Sequence, residues 1–279
     1  MDFENKYGLK DKQEKLLSMM KIIDKKFTEK GIFYLFIYGS ALGAVRDKGF
    51  IPWDDDIDIA ILREDTDCVE KALDELDYYY ETGEVHLRPS APIMHISYLQ
   101  KDFFSPDKNI KDYPEIDIWI IDRVPKNSIK RKIARITGLE HDFFTYRQAP
   151  TTRGVLINKF FNFLLHVFSD KTMDRFQKKT LARLIKLGKG EEYVTEAYHI
   201  KRFRVYTRAF LLDVVRIPFE DMLVPVPKKY DEYLTIVYGD YMTPPPEEPC
   251  DNIVKSKHSN KKLSKTVITY NSRIPDHHS

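Results

Sequence analysis

The segment "WDDDIDIAIL", Trp53 to Leu62, sets three consecutive aspartates, and a fourth two residues on, directly against an alternating apolar run. Carboxylates this close repel one another, and they are costly to bury unless a cation or a proton neutralises them. In an extended strand, residues i and i+2 point to one face. Asp56 and Asp58 therefore project together, about 6–7 Å apart along the strand, while Ile57, Ile59 and Ile61 turn to the other side. Such a pair suits a hard divalent cation. Mg²⁺ favours a few carboxylates with substrate phosphates completing its shell, and Mn²⁺ accepts the same oxygen donors. Asp54 and Asp55 are read as groups that orient the loop. Asp54 is also an alternative to Asp58 as a ligand, because Asp54 and Asp56 have the same spacing.

A third acid is expected from a neighbouring strand. Asp117 in "EIDIWII" sits between Ile116 and Ile118, and an acid isolated in an apolar strand needs a partner. Glu115 and Asp122 are further candidates, and an ion pair with Arg123 is the competing structural role for Asp117. Upstream, Gly39-Ser40 follows the apolar run "IFYLFIY" and is read as a turn onto a helix. Glycine lets a phosphate approach the backbone, the helix start offers unsatisfied N–H groups, and Ser40 adds a hydroxyl. Arg46 and Lys48 lie on or just after that helix and could meet a diphosphate. Their plainer role is a surface cation paired with Asp47 or the aspartate run. Trp53, Trp119 and Tyr38 offer aromatic faces of the kind that bind quaternary ammonium groups; packing is the plainer role for each.

The elements that must hold these groups are legible as periodicities. Leu16, Met20, Ile23 and Phe27 mark one face of a helix over 10–30, with Gly31 as its stop. Strands are expected at Ile32–Tyr38, over "DIDIAIL", at Met94–Leu99 and at Glu115–Ile121. A short helix is expected over "ALGAVRDK" and another from Glu64 to Leu76. Beyond 125, helices are read at Val155–Phe168 and Lys171–Leu187, the second capped by Ser169 or Asp170. That second helix is densely basic, which reads as a solvated face or as a surface for phosphorylated or lipid-linked substrates. A tyrosine-rich helix, Lys228–Val237, lies between prolines, with Tyr230, Tyr233, Tyr238 and Tyr241 on or just past it. The fold class is therefore α+β: a small mixed β-sheet flanked by helices, with a mainly helical second half.

The whole composition narrows the function. The chain has 279 residues, 42% of them hydrophobic, enough for a substantial core. Lys plus Arg number 45 against 43 acids, so there is no global bias toward nucleic acid. The two cysteines, Cys68 and Cys250, have no partner at metal-ligand spacing, which fits a reducing compartment. The charged start "MDFENKYGLKDKQEK" has no apolar signal region, and the longest apolar stretch is too short to span a bilayer. A cytoplasmic protein is expected, with peripheral contact at the inner face of the membrane left open.

Three segments, "YGSALGAVRDKGFIPWDDDIDIAILRED", "DIWIIDRVP" and "VPVPKKYDEYLTIVYGDYMTPPPEE", resemble the LicD family of phosphotransferases within the nucleotidyltransferase superfold, which is related to the fukutin proteins. The middle segment departs from the family's more usual Phe-Pro-Leu at Trp119–Ile121, and has Arg123 where glycine is common. The resemblance implies a nucleotidyltransferase-like core over 1–125, a helical acceptor-side region over 126–218, a family segment over 219–250 and a polar basic tail over 251–279. It implies Gly39 and Ser40 as a phosphate-binding turn, Asp56 and Asp58 as metal ligands, and Asp117 as the third acid of the metal and catalytic set. It also implies transfer of a phospho-alcohol such as phosphocholine from a CDP-linked donor, CDP-choline, to a glycan or lipid-linked saccharide acceptor, with Mg²⁺ or Mn²⁺ as cofactor and CMP released. The alternatives are a nucleotidyltransferase that releases pyrophosphate and a non-catalytic scaffold of the same fold.

Overall fold

The computed structural model describes residues 7–76, 84–86, 93–97, 114–146, 163, 167–196 and 203–244. The expected helix at 155–168 falls mostly outside these residues, and the tail at 251–279, Cys250 and the side chains of His95 and Glu115 fall outside them altogether.

Helix α1 (Lys10–Lys30) buries Leu16, Met19, Met20, Ile23 and Phe27 and ends at Gly31, whose φ of 65° is the left-handed value that terminates helices. Strand β1 is shorter than the apolar run that announces it, Tyr34–Phe36, because Tyr38 already opens helix α2 (Tyr38–Leu42). A π-helical turn, Gly43–Asp47, continues it. Strand β2 (Asp56–Leu62) follows, with the alternation expected of its sequence, then helix α3 (Thr66–Asp74). Strands β3 (Glu84–His86), β4 (Ile93–Ser97) and β5 (Glu115–Val124) complete the sheet in the order β1-β2-β5-β4-β3. Only β2 and β5 run parallel within that order. Strands β6 (Tyr193–Thr195) and β7 (Tyr206–Thr207) extend the far end of β5.

The second half is less purely helical than its composition suggests. It contains helix α4 (Ser128–Tyr146), which the sequence reading left unassigned, and helix α5 (Asp170–Gly188), where Ser169 caps the Thr172 N–H as expected. It also holds the short helix α6 (Arg208–Leu212) and a hairpin of β8 (Val214–Phe219) and β9 (Met222–Pro227). Proline at 218, 225 and 227 hides this hairpin from a pattern reading, since proline removes ladder donors. With no third strand paired to it among the described residues, this two-stranded sheet tolerates them. Helix α7 (Tyr230–Tyr238) closes the described chain against α2 and β9.

A main core joins β1, β2, β5, α1, α3 and the C-terminal hairpin, while α4 and α5 pack on the end of β5 through a smaller cluster of Val124, Ala134 and Leu184. Ile57, Ile59, Ile61, Ile116, Ile118 and Ile120 line one face of β2 and β5, and α1 packs against the same strands. Phe219, at the end of β8, meets Phe36 at 5.3 Å and Phe50 at 4.9 Å between ring centroids. It thereby ties the hairpin both to β1 and to the loop that leads to the aspartates. Arg63 and Asp122 form a bidentate pair at 2.8 Å and 2.8 Å at the far end of β2 and β5. Truncating a fully buried aromatic costs about 3–5 kcal/mol. Phe219→Ala is therefore expected to lower unfolding stability by that amount in urea titration, and a loss below about 1 kcal/mol would show that the hairpin is not part of the core.

Candidate active site

Asp56 and Asp58 project from β2 on the face opposite Ile57, Ile59 and Ile61. In the parallel pairing with β5, Asp58 lies in register with Asp117, and Asp56 with Glu115. Adjacent strands are about 4.8 Å apart, so acids from two strands share one patch. The loop before β2 adds more. Single oxygens of Asp54, Asp55 and Asp56 lie within 4.8 Å of one another.

Asp58 bears the cost of this convergence. Burial, then Asp56, then Asp117, with Asp54 behind them, push its carboxyl well above the usual carboxylate range. A hydrogen bond from the Trp119 indole N–H to Asp58 Oδ1, 2.8 Å, opposes that push. The Asp58 backbone N–H donates to Ser40 Oγ at 2.8 Å. All the converging donors are oxygens, and their mutual repulsion is what a hard divalent cation would relieve. The residues present therefore fit Mg²⁺ or Mn²⁺.

Gly39 and Ser40 lie in the first turn of α2, which starts at Tyr38, three residues before the helix expected over "ALGAVRDK". A Cβ on Gly39 would stand 2.7 Å from Asp54 Oδ2. The space that glycine opens is thus taken by an aspartate, and Ser40, 4% exposed, ties α2 to β2. Tyr38, just before them, is a non-glycine residue with φ of 47°. Such a backbone costs about 1–3 kcal/mol and persists only where its surroundings hold it.

Three side chains from two elements clamp the loop itself. Gln13 of α1 donates to the backbone oxygens of Ile51 and Asp54 at 3.3 Å and 2.9 Å. Lys12 pairs with Asp55 at 3.2 Å. Glu220, in the β8–β9 turn, donates its N–H to Lys48 O at 2.8 Å and accepts the Phe50 N–H at 3.0 Å. Its carboxylate fills the place where a Cβ on Gly49 would be. No motif or periodicity in the sequence marks Gln13 or Glu220.

The remaining candidates divide. Arg46 pairs with Asp47 at 2.9 Å, donates to Tyr241 O at 3.3 Å and stands 6.0 Å from the Trp53 ring. Lys48 is exposed and donates to Val45 O at 2.9 Å. Trp53 is half-buried with its ring near Tyr7, whereas Trp119 is buried against the acids, where its N–H faces Asp58. Of the alternatives for the third acid, Asp122 is engaged by Arg63. Arg123 reaches toward Glu64 and Glu191. Among the tyrosines of α7, Tyr233 is buried in the core and Tyr238 is exposed. The basic helix α5 borders a hollow lined by Lys171, Asp174, Arg175, Lys178, Lys179 and Ala182, none of which belongs to the carboxylate patch.

Residues 31–148 match the LicD/FKTN/FKRP nucleotidyltransferase domain. This segment is a LicD-family domain. It contains the whole acidic patch, from the Gly39-Ser40 turn through Asp56 and Asp58 to Asp117. The chain is also similar to the lipopolysaccharide cholinephosphotransferase LicD of Haemophilus influenzae, 27% identical over 256 residues that cover 87% of this chain and 94% of that protein. Two shorter likenesses are to uncharacterized rickettsial proteins. The protein of Rickettsia prowazekii is 37% identical over 73 residues, 26% of this chain and 27% of its own. The protein of Rickettsia typhi is 41% identical over 61 residues, 22% of this chain and 20% of its own. The agreement across almost the full length of the Haemophilus protein takes in α5 and the C-terminal hairpin as well as the LicD domain.

If repulsion at Asp58 is the dominant strain of the metal-free domain, removing its charge relieves it. Asn keeps an acceptor for the Trp119 N–H. Asp58→Asn is expected to raise the thermal midpoint of chelator-treated protein by about 2–4 °C per kcal/mol gained. Scanning calorimetry with and without EDTA reads this directly, and a lower midpoint in EDTA would refute the crowding.

Proposed function

We propose that this chain transfers a phospho-alcohol, phosphocholine, from a CDP-linked donor such as CDP-choline to a hydroxyl of a cell-surface glycan precursor, with CMP as the leaving group. The observation that carries this reading is the register of Asp58 with Asp117 on parallel strands, beside Asp56 and the Ser40 turn. Such a patch suits phosphoryl-type transfer, which relies on positioning and charge neutralisation more than on covalent help. The choice of group is supported by the Haemophilus relative, whose name states cholinephosphotransferase and lipopolysaccharide.

Asp56 and Asp58 would hold the divalent cation, Mg²⁺ or Mn²⁺, which when bound supplies charge neutralisation for the donor diphosphate. Trp119 fixes the rotamer of Asp58 through its indole N–H, and Ser40 fixes the backbone beneath it. The acceptor oxygen attacks the phosphorus that carries choline. The bond from that phosphorus to the bridging oxygen of CMP breaks, and CMP leaves with the electron pair. Asp117 accepts the proton of the acceptor hydroxyl. Arg46 and Trp53 lie together on the rim, where the guanidinium would face the diphosphate and the indole the trimethylammonium group. No described helix is long and apolar enough to cross a membrane, so a lipid-linked acceptor would be met by peripheral contact at the inner face.

Purified protein with CDP-choline, a saccharide acceptor and Mg²⁺ is expected to release CMP, and Asp56→Ala is expected to lower that rate by about 10²–10⁴. CDP-ethanolamine, CDP-glycerol and CDP-ribitol in the same assay rank the transferred group. Pyrophosphate release from CTP in place of CMP release would overturn the reading in favour of a nucleotidyltransferase. An Asp56→Ala protein of unchanged rate would remove the aspartates from the mechanism.

A further inference from the structure

Most cations of helix α1 are matched by an acid. Lys15 pairs with Asp11, Lys21 with Asp221, and Lys26 and Lys30 with Glu75. Helix α5 differs. Lys171, Arg175, Lys178 and Lys186, with Lys189 just past its end, are exposed and form no ion pair among the described residues. Arg183 comes only within 4.0 Å of Glu140, and Lys179 lies over the Phe176 ring at 6.0 Å. The whole chain has a formal charge of only +2, so this is a local concentration of positive charge.

The charges are also ordered. Steps of four, three, four, three and four lead from Lys171 to Arg175, Lys178, Ala182, Ile185 and Lys189, the spacing of one helix face. The opposite face buries Met173, Thr180 and Leu184 where α5 packs on α4. The basic stripe therefore points outward along the helix. Within it Ile185 is 50% exposed, and Val167, ahead of the Ser169 cap, is exposed as well. The hollow bordered by Lys171, Arg175, Lys178 and Lys179 has a volume of about 530 Å³, room for a small anionic group. Asp174 is the acid on its wall. We propose that the outward face of α5 is a docking surface for an anionic lipid bilayer, with its cations on phospholipid phosphates and Ile185 in the headgroup layer. The stripe carries aliphatic side chains and no aromatic ring on which bases could stack, which favours lipid over single-stranded nucleic acid. Delivery of a lipid-linked acceptor by this contact rests on the transfer reading above. The docking itself does not.

The full chain is expected to co-sediment with vesicles of phosphatidylglycerol and phosphatidylethanolamine, to ignore vesicles of phosphatidylcholine, and to be released at about 0.5 M NaCl. Combining Lys171→Glu, Arg175→Glu and Lys178→Glu is expected to weaken partitioning by about a hundredfold, at roughly fivefold per lipid-facing cation. Combining Lys25→Glu, Lys228→Glu and Lys229→Glu changes net charge equally but lies off the stripe, and is expected to leave partitioning at the parent level. Parent-like partitioning of the stripe variant overturns the proposal, as does an equal loss in the off-stripe variant or equal binding to phosphatidylcholine. A chain that binds duplex DNA and not the anionic vesicles overturns it in favour of a nucleic-acid surface. Should the stripe variant fail to fold, Lys171→Gln with Lys178→Gln carries the test, with at least a tenfold loss expected and no loss counting against the proposal. CMP release to a soluble saccharide acceptor is expected to be the same in the parent and the stripe variant. Stripe-dependent vesicle binding by a chain that releases no CMP would sink the transfer reading alone, and CMP release by a chain that binds no anionic vesicle would sink the docking surface alone.

Discussion

A half-buried carboxylate beside three others is the interaction around which this structure is arranged. Asp58 cannot leave the sheet, because its neighbours Ile57 and Ile59 are core residues and a shift of one register position would exchange them for acids. It cannot relax by turning away either, since Trp119 and Ser40 hold its side chain and its backbone. The repulsion is therefore built in, and the surrounding elements are what contain it. Isoleucines on the opposite face supply apolar burial, each roughly 1.5–3 kcal/mol by transfer estimates, which offsets a cluster that would otherwise disrupt β2.

Containment comes from parts of the chain that are remote in sequence. Helix α1 grips the aspartate loop through Lys12 and Gln13, and the β8–β9 turn grips it through Glu220. Between them the loop has little freedom, so the direction of the acids is fixed before any ligand arrives. Such preorganisation matters for phosphoryl-type chemistry, where misplacement by about 1 Å can cost a hundredfold in rate. The region matched as a LicD domain, 31–148, contains neither Gln13 nor Glu220. The matched domain is narrower than the unit that holds the site in shape.

Much of this was legible in the residues themselves. The alternation of "DIDIAI" fixes which face carries the acids, and the spacing of Leu16, Met20, Ile23 and Phe27 fixes the inner face of α1. Both depend only on local geometry. The resemblance carried by Tyr38–Asp65 and Asp117–Pro125 led to the same acids. What was not legible depends on tertiary contact. Asp54 beside Gly39 is seen only in the fold, and so is the approach of Arg46 to Trp53 and to the Tyr241 carbonyl. Helix α4 escaped a reading that could not place the stretch after Pro125. The hairpin was hidden because prolines interrupt the pattern that would have announced it.

The clasp between Glu220 and the Lys48–Phe50 backbone spans 170 positions of sequence. During synthesis, the aspartates leave the ribosome long before the residue that sets their loop. A nascent chain can thus form β1, β2 and α1 while its acid loop is still unclamped, and the loop acquires its final shape only when the last third of the chain has emerged. A truncated product would keep every acid and still lack the clasp that aims them.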